Sequence, residues 1–164
     1  MKFVIAVFLA VALVIPVNAA ELSDDQKGVI SQNCNSIKSS LKSLQKSDSR
    51  VRVLLGTSYQ TILTNFLTPL NLRLVKDNHP SSALSTIQTD MAAERNVFQD
   101  QFIKYSQHLE ELIASDCQKS PEDFYSKLKS TRTQREVLNR SATRLKSLID
   151  KHLLAVTELK KGEQ

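Results

Sequence analysis

Three long stretches of this chain carry apolar residues alternately three and four positions apart, and this spacing constrains the fold more than any other feature. A stripe with a period of about 3.5 residues suits α-helices that wind around one another with a left-handed twist. The stripes run from Ile30 to Ile62, from Leu84 to Leu112 and from Phe124 to Leu159. The pattern therefore predicts long helices and no sheet, but it indicates no chemistry.

Short signals mark where these helices begin. The segment Ser23–Gln26 has the composition of a capping box, and Pro121 suits the first position of a helix. Between them, the sequence Asn-His-Pro-Ser-Ser at 78–82 predicts a turn. We expect an all-α fold, namely an elongated antiparallel three-helix bundle of coiled-coil type. The expected helices span about 23–68, 81–116 and 121–160.

The first expected helix has two weak points, and a break at either would give four helices instead of three. Asp48 lies between two serines, and Pro69 lacks a backbone N–H. The apolar stripe keeps its phase through Asp48, which favours a continuous helix there. Beyond Pro69, the apolar segment 70–75 is expected to continue as a kinked helical turn.

The amino terminus predicts export. Lys2 precedes the uncharged apolar run Phe3–Ile15, and small residues follow up to Ala19. We expect residues 1–19 to be a signal peptide, cleaved after Ala19 or one residue later. A retained membrane anchor is the alternative, but a span needs about 20 apolar residues and this run is shorter. The mature chain, 20–164, is then a single all-α domain that is secreted, periplasmic or located at the cell envelope, with no transmembrane span.

Two cysteines, Cys34 and Cys117, follow the predicted signal peptide. Export places them in an oxidising compartment, where a disulfide persists. From Cys34 to a turn near Asp77 is roughly 65 Å of helix, and from Ser81 back to Cys117 is roughly 54 Å. Both cysteines thus return to the same end of a helical hairpin, which predicts a disulfide between them. Two unrelated thiols are the alternative.

The charge of the chain is modestly basic, with a formal net charge of +5. Acidic residues share the same helices, so nucleic acid is not an expected partner. The most concentrated basic feature is a row at four-residue spacing, formed by Lys38, Lys42, Lys46 and Arg50. Such a row is usually a solvated helix face; the other interpretation is a site for a partner or a membrane surface.

Apolar residues beside the first stripe make that helix broader on its apolar face than a two-partner bundle requires. These residues are Val53, Leu54, Leu63, Phe66 and Leu67. Burial in the bundle or in a homodimer is one interpretation, and an exposed groove is the other.

Two charged residues, Asp48 and Arg135, occupy positions on the apolar stripes. Asp48 lies 14 residues from Cys34 and Arg135 lies 14 residues from Pro121, which places both about 21 Å from the disulfide end. We expect a structural ion pair that fixes helix register. Alternatively, the packing frays here and both side chains reach water.

The sequence predicts no catalytic residue, no metal site and no cofactor. Its histidines, His79, His108 and His152, lie in a turn and on two different helices, without the spacing of metal ligands. Neither cysteine lies beside a candidate base in the sequence, and a disulfide would consume both thiols. We therefore expect a protein that is not an enzyme.

Four groups of residues in the mature chain carry a family resemblance. They are Cys34 with Leu44-Gln45 and Asp48-Ser49-Arg50, the run from Pro69 to Val75, Phe102 with Tyr105-Ser106-Gln107, and Cys117 with Pro121, Phe124-Tyr125 and Lys127-Leu128. In these residues the chain resembles a group of small exported helical proteins from bacteria with reduced genomes. The resemblance implies a bacterial exported protein with both cysteines as a framework, and it implies no activity or site.

These features together predict a non-enzymatic helical interaction protein of the cell envelope. Its expected partner is a protein or an envelope component, and it is expected to be a monomer or a homodimer. The alternative is a chaperone-like or amphipathic surface-binding protein of the periplasm or extracellular space.

Overall fold

A computed structural model describes residues 22–162, and every element in this range is a helix. The elements are α1 Asp24–Gln32, α2 Cys34–Thr61, a π-helical segment Ile62–Leu67, α3 Thr68–Lys76, α4 Ser82–Ala114 and α5 Pro121–Gly162. The predicted all-α class is therefore confirmed for this part of the chain. The predicted signal peptide lies outside the described residues.

The helix starts agree with the signals in the sequence. The amide of Gln26 donates to Ser23 Oγ at 3.3 Å, and the amide of Ser23 donates to Gln26 Oε1 at 3.1 Å, so both halves of the capping box are formed. Pro121 is the first residue of α5. In the turn before α4, Asn78 has a φ of 60°, a left-handed conformation that asparagine tolerates better than most residues.

The first predicted helix differs from the structure in where it is interrupted. It breaks at Asn33, whereas α2 runs without interruption through Asp48. Asn33 Nδ2 donates to the carbonyl of Val29 at 2.8 Å, a local side-chain bond of the kind that competes with helical hydrogen bonding. The chain then stays helical past Pro69 to Lys76, as expected for segment 70–75, although the predicted boundary of the first helix is 68.

A π-helical segment directly precedes Pro69. In it, the amide of Thr68 donates to the carbonyl of Leu63, five residues back. Proline has no N–H to donate and its ring crowds the preceding turn, so a wider turn upstream accommodates it without ending the helix. A local widening of the helix thus lies at the point where the sequence predicts a kink.

The antiparallel pair α4 and α5 forms the best-packed part of the molecule. Each helix buries a residue at every seventh position: Leu84, Met91, Phe98, Tyr105 and Leu112 on α4, and Phe124, Thr131, Leu138, Leu145 and His152 on α5. Hydrogen bonds fix the register, from Gln134 Nε2 to Gln101 Oε1 at 2.7 Å and from Ser141 Oγ to Glu94 Oε1 at 2.6 Å. The two buried ladders therefore stand at matching heights in opposite order.

Helix α2 packs on α4 and makes much less contact with α5. Tyr59 of α2 meets Phe98 of α4 edge to face, with ring centroids 5.5 Å apart. As a result, the first apolar stripe is only partly covered. Cys34 is buried, but its neighbours on the stripe are half-buried, and Val51 is 48% exposed. The first stripe is therefore less deeply buried than the stripes of α4 and α5.

Candidate interaction surface

The predicted disulfide between Cys34 and Cys117 is confirmed, with the two Cα atoms 5.5 Å apart and both side chains buried. It joins the first residue of α2 to the turn between α4 and α5. Ser31 Oγ donates to the carbonyl of Cys117 at 3.5 Å, and Lys27 Nζ lies 2.6 Å from a carboxylate oxygen of Glu122. The end of α1 and the start of α2 are thereby held against the start of α5.

The structure brings the predicted pair Asp48 and Arg135 together, with Arg135 Nη2 at 3.2 Å from Asp48 Oδ1. Asp48 is largely covered, with 17% of its side chain exposed, whereas the side chain of Arg135 is 45% exposed. The pair thus lies at the edge of the bundle and is neither fully buried nor frayed into water.

A third member of this cluster, Tyr105, was not part of the predicted pair. Its buried hydroxyl donates to Asp48 Oδ2 at 2.6 Å. Burial, and then the hydrogen bond to Asp48, raise the pKa of Tyr105 well above its ordinary value. A usable signal was present in the sequence, because a tyrosine on a buried stripe needs a hydrogen-bond partner.

The basic row lies on the side of α2 that faces away from the bundle. Lys42, Lys46 and Arg50 are exposed and Lys38 is half-buried. None of the four forms an ion pair with another described residue. The row continues into Val53 and Leu54, which are exposed, and together with Lys42, Lys46 and Arg50 these two border a shallow depression of about 750 Å³. We call these five residues the outer face of α2.

The remaining apolar candidates divide into two groups at the π-helical segment. Leu63 and Leu67 are buried, whereas Phe66 is 61% exposed. Leu63 and Leu67 therefore belong to the core and cannot meet a partner in the folded protein. The apolar surface that the structure exposes is therefore smaller than the one predicted from the sequence. Within it, Phe66 is separated from Val53 and Leu54 along the helix.

A long apolar groove, which we call the inter-helix groove, lies between α1–α2 and the first turns of α5. Its volume is about 650 Å³. Its apolar lining consists of Leu22, Val29, Ile30, Ile37, Leu41, Leu44, Phe124, Tyr125 and Leu128. The spacing of the first stripe predicts burial for many of these positions. The structure leaves them half-covered because α5 packs mainly against α4.

Few polar groups border the inter-helix groove. Ser36 and Ser40 lie on α2, Asp25 and Gln26 lie on α1, and Arg132 lies on α5. Lys129 Nζ stacks 4.5 Å from the ring centroid of Tyr125, a lining residue. The α5 side therefore carries positive charge, and the α2 side carries small hydroxyl groups.

The opposite end of the molecule contains the buried side chain of His152. It borders a cavity of about 400 Å³ between the π-helical segment, α3 and α5. Its Nε2 has no hydrogen-bond partner among the described residues. Burial lowers the pKa of His152 below its ordinary value, so the neutral imidazole is favoured in the folded protein.

Residues 22–162 contain no group of three or more histidine, cysteine or acidic side chains that could hold a metal ion. Within the same range, no helix combines the length and apolar character required to cross a membrane. No protein-family model matches the chain, and neither the curated proteins nor the solved structures include a match.

Proposed function

We propose that this protein is an exported, non-enzymatic helical interaction protein of the cell envelope that binds a protein partner through the outer face of α2. The observation that carries the proposal is the continuity of this face, on which three exposed basic side chains run into exposed Val53 and Leu54. Unpaired charges beside an apolar contact favour a partner with an acidic rim around an apolar centre.

The export part of this proposal rests on the predicted signal peptide and on the disulfide, since disulfides persist in oxidising compartments. In the proposed arrangement the mature chain is an elongated antiparallel three-helix bundle of coiled-coil type. The disulfide closes one end, and α2 presents its outer face along the side. Because the surface of such a bundle is already ordered, binding does not require further ordering of the interface.

Charge reversal on the outer face tests this function. The variant Lys42→Glu/Lys46→Glu is compared with Arg140→Glu/Lys151→Glu, which reverses two exposed basic residues of α5. In-cell cross-linking followed by mass spectrometry should give a protein partner that is lost in the first variant and kept in the second. Association should also weaken with added salt for the wild type. Equal cross-linking by both variants would refute the proposed surface.

A second candidate function is a chaperone-like or amphipathic surface-binding role. It is favoured by a group of exposed apolar side chains near the α3 end of the molecule: Phe66, Leu72, Val75, Leu153 and Leu154. Light scattering of chemically denatured citrate synthase, diluted into buffer without reductant so that the Cys34–Cys117 disulfide stays intact, tests this role. Protection that depends on protein concentration, and is lost when Phe66 and Leu153 are changed to serine, supports it; unchanged aggregation contradicts it.

A further inference from the structure

The first apolar stripe is incompletely used by the chain itself. Ile30, Ile37, Leu41 and Leu44 have the three-and-four spacing of residues that pack against a helix, yet all four are half-buried. The corresponding ladders of α4 and α5 are buried. The inter-helix groove is therefore lined by apolar residues that have the spacing for packing against a helix but are not fully covered by another helix of this chain.

We infer that the inter-helix groove binds the apolar face of an acidic amphipathic α-helix from another protein. This inference rests on the proposed role as an interaction protein, but it assigns a second surface, on a different side of α2 from the outer face. It names the partner's chemistry, which is an apolar stripe of heptad spacing with carboxylates along one flank.

The shape of the groove favours a helix over an acyl chain. The groove is open to solvent, so an acyl chain lying in it would keep much of its surface in water. A helix that is apolar on one side would bury that side and keep its polar side wet. Ser36 and Ser40 have small side chains, which allow a second backbone to approach α2 closely. From Ile30 to Leu44 the stripe is about 21 Å long, or roughly four helical turns.

Charge favours an acidic partner over a second copy of this chain. Arg132 lines the inter-helix groove and Lys129 stands at its rim, both on the α5 side. Asp25, the acidic residue of the lining, lies towards the α1 end. Carboxylates of the bound helix therefore face α5, near Arg132. Two copies of the mature chain, each with a net charge of about +4 after removal of Lys2 from the +5 of the full sequence, repel one another.

A synthetic peptide of three heptads, about 21 residues long, serves as the probe. It carries leucine at heptad spacing and glutamate along one flank, and it is labelled for fluorescence anisotropy. The matched peptides carry lysine in place of glutamate, or the same residues in an order that destroys the spacing. With the oxidised mature chain, the glutamate peptide should bind saturably. The lysine peptide should bind at least about tenfold more weakly, and the reordered peptide should not bind.

Filling the groove locates the site. Ser40→Trp places a large side chain in the lining, whereas Ser39→Trp places the same side chain next to the basic row, away from the groove. Circular dichroism should show both variants fully helical. Ser40→Trp should weaken the affinity for the glutamate peptide at least about tenfold, whereas Ser39→Trp should leave that affinity unchanged. Arg132→Glu should reverse the preference between the two charged peptides.

Three results would overturn the inference. They are equal affinity for the ordered and reordered peptides, equal binding by Ser40→Trp and the wild type, and a concentration-dependent dimer that Ser40→Trp disrupts, which would make a second copy the occupant. Failure of this inference can be distinguished from failure of the proposed function. Loss of the cross-linked partner on reversal of Lys42 and Lys46 would preserve that function even if no peptide binds the groove.

Discussion

Replacing Asp48 with alanine is expected to destabilise the protein more than replacing its ion-pair partner Arg135. Asp48 accepts the hydroxyl of buried Tyr105, and a buried hydroxyl left without a partner costs about 1–3 kcal/mol. The ion pair itself contributes only about 0–1 kcal/mol, because Arg135 is nearly half exposed. Asp48→Ala should therefore cost about 2–3 kcal/mol, and Arg135→Ala at most about 1 kcal/mol.

Urea unfolding followed by far-ultraviolet circular dichroism measures these differences. Double-mutant cycles with Tyr105→Phe then separate the two contacts of Asp48. The coupling between Asp48 and Tyr105 should exceed the coupling between Asp48 and Arg135, which should stay below about 1 kcal/mol. Asp100→Ala, at an exposed acidic position of α4, serves as the control and should change stability by less than about 0.5 kcal/mol. Equal losses for Asp48→Ala and Arg135→Ala, or additivity of Asp48 and Tyr105, would refute this reasoning.

Three further predictions concern other parts of the molecule. Non-reduced peptide mapping should find Cys34 linked to Cys117, and replacing both with serine should lower stability by about 4 kcal/mol in urea; two alkylatable thiols in freshly purified protein would contradict this. Burial lowers the pKa of His152 below 6.5, so as the pH falls the unfolded chain binds a proton at this residue before the folded protein does. The free energy of unfolding should therefore fall as the pH drops below about 6.5, by at most about 1.4 kcal/mol per pH unit. His152→Leu should remove that part of the pH dependence, and an unchanged slope in urea titrations would exclude it. Phe66→Asp, at an exposed position, should keep its helicity and melting temperature, whereas Leu67→Asp next to it should unfold the bundle; equal melting temperatures would contradict the assigned burial.

The sequence predicts the second and third helices well because one strong signal defines each. Pro121 starts α5 at the expected residue, and α4 ends within two residues of the predicted limit of 116. Both helices bury a residue at every seventh position, so spacing alone identifies their core faces. Where local signals and packing agree in this way, the apolar spacing is sufficient to predict the helix and its buried face.

The first helix is predicted less well because its details depend on contacts made by other parts of the chain. Apolar spacing cannot show that α5 packs closely on α4 and leaves Ile37 and Leu41 half-covered, since coverage depends on the distances between helices. The break at Asn33 and the widened turn before Pro69 are backbone responses that the apolar stripe does not encode. The inter-helix groove follows from the first of these effects, and for this reason the sequence did not reveal it.

The position of the disulfide has a topological consequence. The disulfide closes a covalent loop from Cys34, the first residue of α2, to Cys117. This loop contains the rest of α2, the π-helical segment, α3 and α4, whereas α5 lies entirely outside it. A protease that cuts the turn before α4 leaves two fragments joined through the bridge, and the nicked protein keeps α2 and α4 tethered. A cut within α5 instead releases a fragment that no covalent bond retains. Of the long helices, α5 alone is held in the bundle by noncovalent contacts and one peptide connection.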